Sequence, residues 1–289
     1  MPEIIIETEY EFEPQEGLNI YALRVPRVSE EIVRQAGARF GLRGTVDAGT
    51  FIHNARGMAY SEASGWGLRL FRHSGGWQYR NAERWQADDG RGHLEIGDDE
   101  AAELAREAIG RYEVAAESEL DLVRVQRLHV AHAERGAAEH LERIVGLRVV
   151  FRRVLDGLPA EGPGGRTVVY LDHGRELTGI DHLWHEIEDV YEPVAGLRPV
   201  GDALEEVRRR YEDSDGRVEV TDLRLGYYEL GWDDDQRFLQ PAYVVFVQLV
   251  SPDPRYRMNA TVAIPAAVNA PGPVEREPRP REPQPARTG

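Results

Sequence analysis

Three short stretches carry apolar residues at helical spacing, and each is followed by sequence of strand period. This recurrence constrains the fold more than any other feature of the chain. The first stretch runs from about Ser29 to Phe40, with Ser29 placed to cap it and Ile32, Val33, Ala36 and Phe40 on one face. The second runs from about Asp99 to Arg111, with Asp98 or Asp99 as cap and Ala101, Leu104, Ala105, Ala108 and Ile109 as its apolar stripe. The third runs from about Asp202 to Tyr211. There Asp202 and Glu205 have the spacing of a capping box, and Leu204, Val207 and Tyr211 give the buried side.

Strand signals follow each helix. After the first come Gly67 to His73 and Gly76 to Arg80, joined by a tight Ser74-Gly75-Gly76 turn. After the second come Leu120 to His132, Arg148 to Leu155, Thr167 to Asp172 and Leu177 to Leu183. After the third come Val218 to Leu230, Ala242 to Val250 and Tyr256 to Ile264. A capped helix followed by a meander predicts an α+β protein of three tandem units, each one helix on an antiparallel sheet. The expected units are residues 1–95, 96–195 and 196–267. Residues 268–289 are rich in Pro, Arg and Glu and predict a disordered tail that buries too little to offset its ordering entropy.

Composition removes whole classes of chemistry. Cysteine is absent, and all 35 basic residues are Arg. Thiol nucleophiles, disulfides, thiolate metal sites, Schiff bases and lysine-based phosphate loops are therefore excluded. The net charge of −16 opposes binding to nucleic acid or anionic membranes. No run approaches the roughly 20 apolar residues of a spanning helix. The start, Met1 to Glu7, lacks the features of an export signal, so the cytoplasm is the default compartment unless a signal was removed.

The stretch Leu147 to Ile180 has the most distinctive motifs. Asp156-Gly157-Leu158-Pro159-Ala160-Glu161-Gly162 is a turn between strands, and Thr167 to Leu171 ends in Asp172-His173-Gly174. This resembles the FTP and PepSY domains found in propeptides of thermolysin-like peptidases, with Ala160 where Val is usual and His173 set between Asp172 and Gly174. Leu225-Gly226-Tyr227-Tyr228 and Phe238 to Phe246 look like the closing strands of the YycI/YpeB-like relatives of that family. The resemblance spans residues 28–265. It implies a cystatin-like packing of each helix on a curved antiparallel sheet, and a peptidase inhibitor, an intramolecular chaperone or a regulatory module with a protein or peptide partner, a peptidase among the candidates. It implies no cofactor. Without a His-Glu-x-x-His segment the chain is not itself a peptidase precursor.

Two clusters are candidate sites. Trp66, Trp77, Tyr79 and Trp85, with Arg69, Arg72 and Arg80, form either a binding face or a small core in a Gly-rich meander. His182, His185 and Glu186 would share one face of a helix, where zinc takes imidazole and carboxylate ligands. This is the basis of an alternative reading, an enzyme using metal-assisted His and carboxylate chemistry. On a strand His182 and His185 point to opposite faces, and the segment is then solvated strand or loop. The same argument separates His129 from His132. A third alternative is a purely structural spacer, for which the tryptophans would be buried.

Overall fold

The structure is a computed structural model that describes residues 4–6, 10, 12, 16–47, 49–53, 66–81, 96–132, 141–214, 216–251, 253 and 257–274. The three amphipathic stretches form α1 (Glu30–Ala38), α2 (Asp98–Arg111) and α3 (Val200–Arg210). Ser29 caps α1, its hydroxyl accepting from the Ile32 amide at 3.4 Å. The other two caps differ from expectation. Gly97 and Pro199 hold the cap positions of α2 and α3 without a side-chain bond. Asp98, Asp99 and Asp202 lie instead in the first turn, where their charge opposes the positive end of the helix dipole.

The strands are β1 (Ile4–Ile6), β2 (Asn19–Leu23), β3 (Thr45–Asp47), β4 (Phe51–His53), β5 (Trp66–Leu70), β6 (Trp77–Asn81), β7 (Leu120–His132) and β8 (Leu141–Leu155). They continue as β9 (Leu158–Glu161), β10 (Arg166–Asp172), β11 (Leu177–Leu183), β12 (Ile187–Pro193), β13 (Arg217–Tyr228), β14 (Phe238–Leu239), β15 (Pro241–Val250) and β16 (Arg257–Pro265).

This overturns the expected fold class. Among the described residues strand accounts for 48% and helix for 17%, so they are mainly β, not an α+β array of tandem helix-on-sheet units. The helices stand where the periodicity placed them, but the meanders do not form separate sheets. β6 pairs with β11, Tyr79 opposite Ile180, and β9 pairs in parallel with β13, Ala160 opposite Tyr227. These junctions fuse the strands into one mixed sheet of 13, in the order β16-β15-β13-β9-β8-β10-β11-β6-β5-β4-β3, with β1 on β13 and β7 on β8. A separate meander would leave raw strand edges, and fusing the meanders removes them. A second sheet has the order β12-β2-β14.

The three helices of the described residues cover one face. α1 packs on Ile52, Leu68, Tyr79 and Ile180 through Val33. α2 packs on Leu147, Val149, Phe151 and Val169 through Ala101, Ala105 and Ile109. α3 packs on Val218, Tyr227, Val245 and Ile264 through Ala203 and Val207, and the small sheet adds Leu23 and Leu239. The opposite face carries no helix among the described residues. Near its β13 end it is covered by residues expected to be free tail: Val274 is buried against Tyr228, Val244 and Ala263, and Gln240 Nε2 donates to the Gly272 carbonyl at 2.9 Å. Residues 275–289 lie outside the described residues.

The Asp-Gly-Leu-Pro motif is a two-residue hairpin between β8 and β9. Asp156 and Gly157 have φ of 49° and 78°, the left-handed pair that matches the twist of the flanking strands. Leu158 is buried under the turn, while Pro159 lies inside β9. Asp172 closes the β10–β11 turn, its carboxylate accepting from the amides of Gly174 and Glu176 at 2.8 and 3.0 Å.

A buried polar seam and an adjoining groove

Alternation along β8 puts Leu147, Val149, Phe151 and Arg153 on the helix-covered face, so a guanidinium occupies a core position. Glu229, just past the end of β13, is fully buried opposite it. Arg153 Nη1 donates to the His185 carbonyl at 3.1 Å and lies 3.9 Å from Glu229 Oε2, while Nη2 is 3.6 Å from Glu119. The guanidinium stacks 4.7 Å from the Trp184 ring centroid. Glu229 Oε1 accepts from the His185 amide at 2.5 Å and lies 3.2 Å from His185 Nδ1. His185 Nε2 is 3.3 Å from the Asp234 carbonyl. The backbone of the Gly162–Gly165 turn closes over this seam. A Cβ on Gly164 would stand 2.2 Å from the Leu230 carbonyl, so only glycine lets the turn approach.

The loop between β13 and β14 locks the seam to the β5–β6 hairpin. Trp232 packs on Phe71 at 4.4 Å, and His73 Nδ1 lies 2.9 Å from Asp235. A second polar lock holds β2. Asp156 accepts from the hydroxyls of Tyr21 and Tyr227 at 2.7 and 2.5 Å and from the Asn19 amide at 3.0 Å. Burial, then the carboxylate, pushes the Tyr21 phenol up to about 12 and raises Tyr227 further, which keeps both hydroxyls as donors.

The sequence-predicted residues fall around this seam without forming a metal centre. His182 lies on β11 between Trp77 and Trp184, at 5.5 and 4.9 Å, with Nδ1 2.9 Å from Thr167 Oγ1. Burial, with a smaller contribution from Arg153, holds its pKa down at about 3. His185 is bound to Glu229, and Glu186 is exposed in an ion pair with Arg24. The three side chains therefore serve three different partners. Among the described residues no group of three His, Asp or Glu is placed to hold a metal. In the aromatic cluster, Tyr79 is buried and Trp77 half-buried, both packed on Phe40 at 4.2 and 5.4 Å. Trp66 supplies the first backbone position of β5, and Trp85 lies outside the described residues.

Arg153 and Glu229 escaped the sequence reading, although Arg153 left a trace: a charge in phase with three core positions of one strand.

Beside the seam a groove of about 700 Å³ runs between the β2–α1 connection and the start of β12. Arg24 is tied to Glu186 twice, by the side-chain ion pair and by its amide to the Glu186 carbonyl at 2.8 Å. Val25 stands 77% exposed in the wall, and Ile32 of α1 is 37% exposed beside it. Arg27 and Glu188 also line the groove, and neither has an ion-pair partner among the described residues.

No protein-family model matches the chain, and no curated protein matches it. Among solved structures it is similar to an uncharacterized protein from Eubacterium rectale ATCC 33656. The two are 10% identical, the match covers 93% of this chain and 90% of that one, and the TM-score is 0.53. That likeness shows a shared fold. The FTP/PepSY likeness rests on its short motifs alone, and two of these are turns in the structure.

Proposed function

We propose that the protein is a binding module that holds an extended peptide segment in the groove between Arg24 and Glu188. The observation behind this reading is the pairing of exposed apolar surface with unengaged charge. Val25 and Ile32 offer an apolar contact, and Arg27 and Glu188 offer one charge of each sign beside it. The matching ligand has an aliphatic side chain with an acidic residue on one side and a basic residue on the other. Ordering the wall is inexpensive, because Pro26 and the double Arg24–Glu186 contact already fix it. The FTP/PepSY-like motifs point the same way, toward a protein or peptide partner with peptidases among the candidates.

Panning a random peptide library against the full chain tests this. Enriched peptides should share the acid–aliphatic–base pattern. Val25→Asp should weaken them about tenfold, equivalent to about 1.4 kcal/mol, and Arg27→Glu should reverse the charge preference at one end. Failure to enrich any peptide, or equal binding to wild type and Val25→Asp, would sink the reading.

A further inference from the structure

The helix-free face of the sheet holds a concentration of cations that the seam and the groove do not use. On β8 the outward residues Arg148 and Arg152 flank Val150, Arg124 of β7 lies opposite Val150, and Arg166 of β10 lies opposite Arg152. Val150 and Val168 between them are only 3% and 4% exposed. Arg152 is neutralised by Asp121 at 2.7 Å and Glu161 at 3.5 Å. Arg124 and Arg148 have no ion-pair partner among the described residues, and Arg148 Nε is buried without a hydrogen bond. Burial lowers the pKa of Arg166, the Glu161 carboxylate raises it, and the like charges of Arg124 and Arg148 lower it, so the three guanidiniums feel one another beside that one anion. In a chain of net charge −16, such a patch is a local reversal of sign.

The same patch adjoins an open strand edge. β7 pairs only with β8 among the described residues, so the backbone groups along its other side face outward. Two register irregularities, after Leu122 and after Leu128, bracket a regular run from Arg124 to Leu128. Val123, the residue skipped by the register just before that run, is 46% exposed.

We propose that β7 is a docking edge for an extended acidic segment of a partner protein, which adds as a further strand and lays alternate carboxylates on Arg124 and Arg148. Strand addition supplies backbone hydrogen bonds, and side chains on one face of the added strand recur about every 6.6–7 Å. Cross-strand opposite charges then set which segment is accepted. A phosphate chain would meet the guanidiniums but could not use the strand edge, which selects a polypeptide.

The test uses a labelled, capped nonapeptide alternating Glu and Val, with anisotropy read on the full chain at low salt. The peptide should bind, and its Glu→Lys version should not. Arg124→Glu, at an exposed position, should weaken binding at least about tenfold with an unchanged melting temperature. Arg148→Gln should weaken it less. A proline at the centre of the peptide, which removes an edge N–H, should also reduce affinity. Val25→Asp should leave this binding unchanged, which separates the result from the groove. Equal binding by Arg124→Glu and wild type would overturn the proposal. So would a proline peptide that binds as well as the original and is displaced by tripolyphosphate, which would mark a plain anion site. Concentration-dependent self-association abolished by Arg124→Glu would give the edge to a second copy of this chain and refute the partner assignment.

Discussion

Replacing Glu229 by Gln keeps the shape of the seam and removes its negative charge. Glu229 is fully buried, and its Oε2 lies 3.9 Å from Arg153 Nη1. Removing one member of a buried ion pair costs about 3–5 kcal/mol, because the other charge stays desolvated. Arg153 keeps Glu119 at 3.6 Å, a carboxylate 35% exposed and therefore partly screened. The Gln oxygen can still accept from the His185 amide. The expected loss is thus at the lower end, about 3 kcal/mol, against a total stability of about 5–15 kcal/mol. With a urea m-value of about 3 kcal/mol/M, the midpoint should fall by about 1 M. Trp184, stacked on Arg153, makes tryptophan fluorescence a suitable probe. Arg153→Met should also destabilise, and the double variant should be less unstable than the two losses added, by about 1 kcal/mol or more. A cost below about 1 kcal/mol for Glu229→Gln, or strict additivity of the pair, would refute the idea that the seam is an electrostatic unit.

His182 gives a pH prediction. Below pH 6.5 the unfolded chain protonates this residue, while the folded chain resists protonation down to about pH 3. Stability should therefore fall with acidification across that window, by up to about 1.4 kcal/mol per pH unit. Melting curves of His182→Phe should show a shallower dependence there than wild type, and identical slopes would count against the assignment. Tyr227→Phe deletes the hydroxyl that donates to Asp156 and should cost about 1–3 kcal/mol in chemical denaturation, with no loss refuting a strong lock at β2. Gly164→Ala forces a Cβ to 2.2 Å from the Leu230 carbonyl and should cost about 1–3 kcal/mol, and a neutral result would mean that the turn can move away.

The elements were legible where one face of an element is apolar and the other wet. α1, α2 and α3 lie within a residue or two of the stretches read from Val33, Ala105 and Val207, and β7, β10, β11 and β15 were equally plain. What was hidden is pairing between elements distant in sequence. Nothing local in Tyr79 or Ala160 says that Ile180 or Tyr227 will lie opposite, so separate units were expected where one sheet exists. β2 and β12 escaped because neither alternates cleanly: β2 is five residues, nearly all apolar, and β12 leaves Val190 and Tyr191 exposed beside its carboxylates. The site was less legible than the fold. His182, His185 and Glu186 are neighbours in sequence, yet each is claimed by a partner from another element: Thr167, Glu229 and Arg24. The cations Arg124, Arg148 and Arg166 share a face only once β7, β8 and β10 are side by side.

The fused sheet also governs how the chain can be divided. Separating residues before α2 from the rest strips β11 of β6, and cutting before α3 strips β9 of β13. Each fragment would present severed backbone ladders and an uncovered part of a shared core. Recombination, domain grafting and limited proteolysis should therefore treat the 13 strands as indivisible. Partially made chains emerging from the ribosome would hold one edge of β6 unpaired, with β5 on the other, until β11 arrives some hundred residues later. That waiting period sets when the nascent protein is most exposed to aggregation and to capture by chaperones.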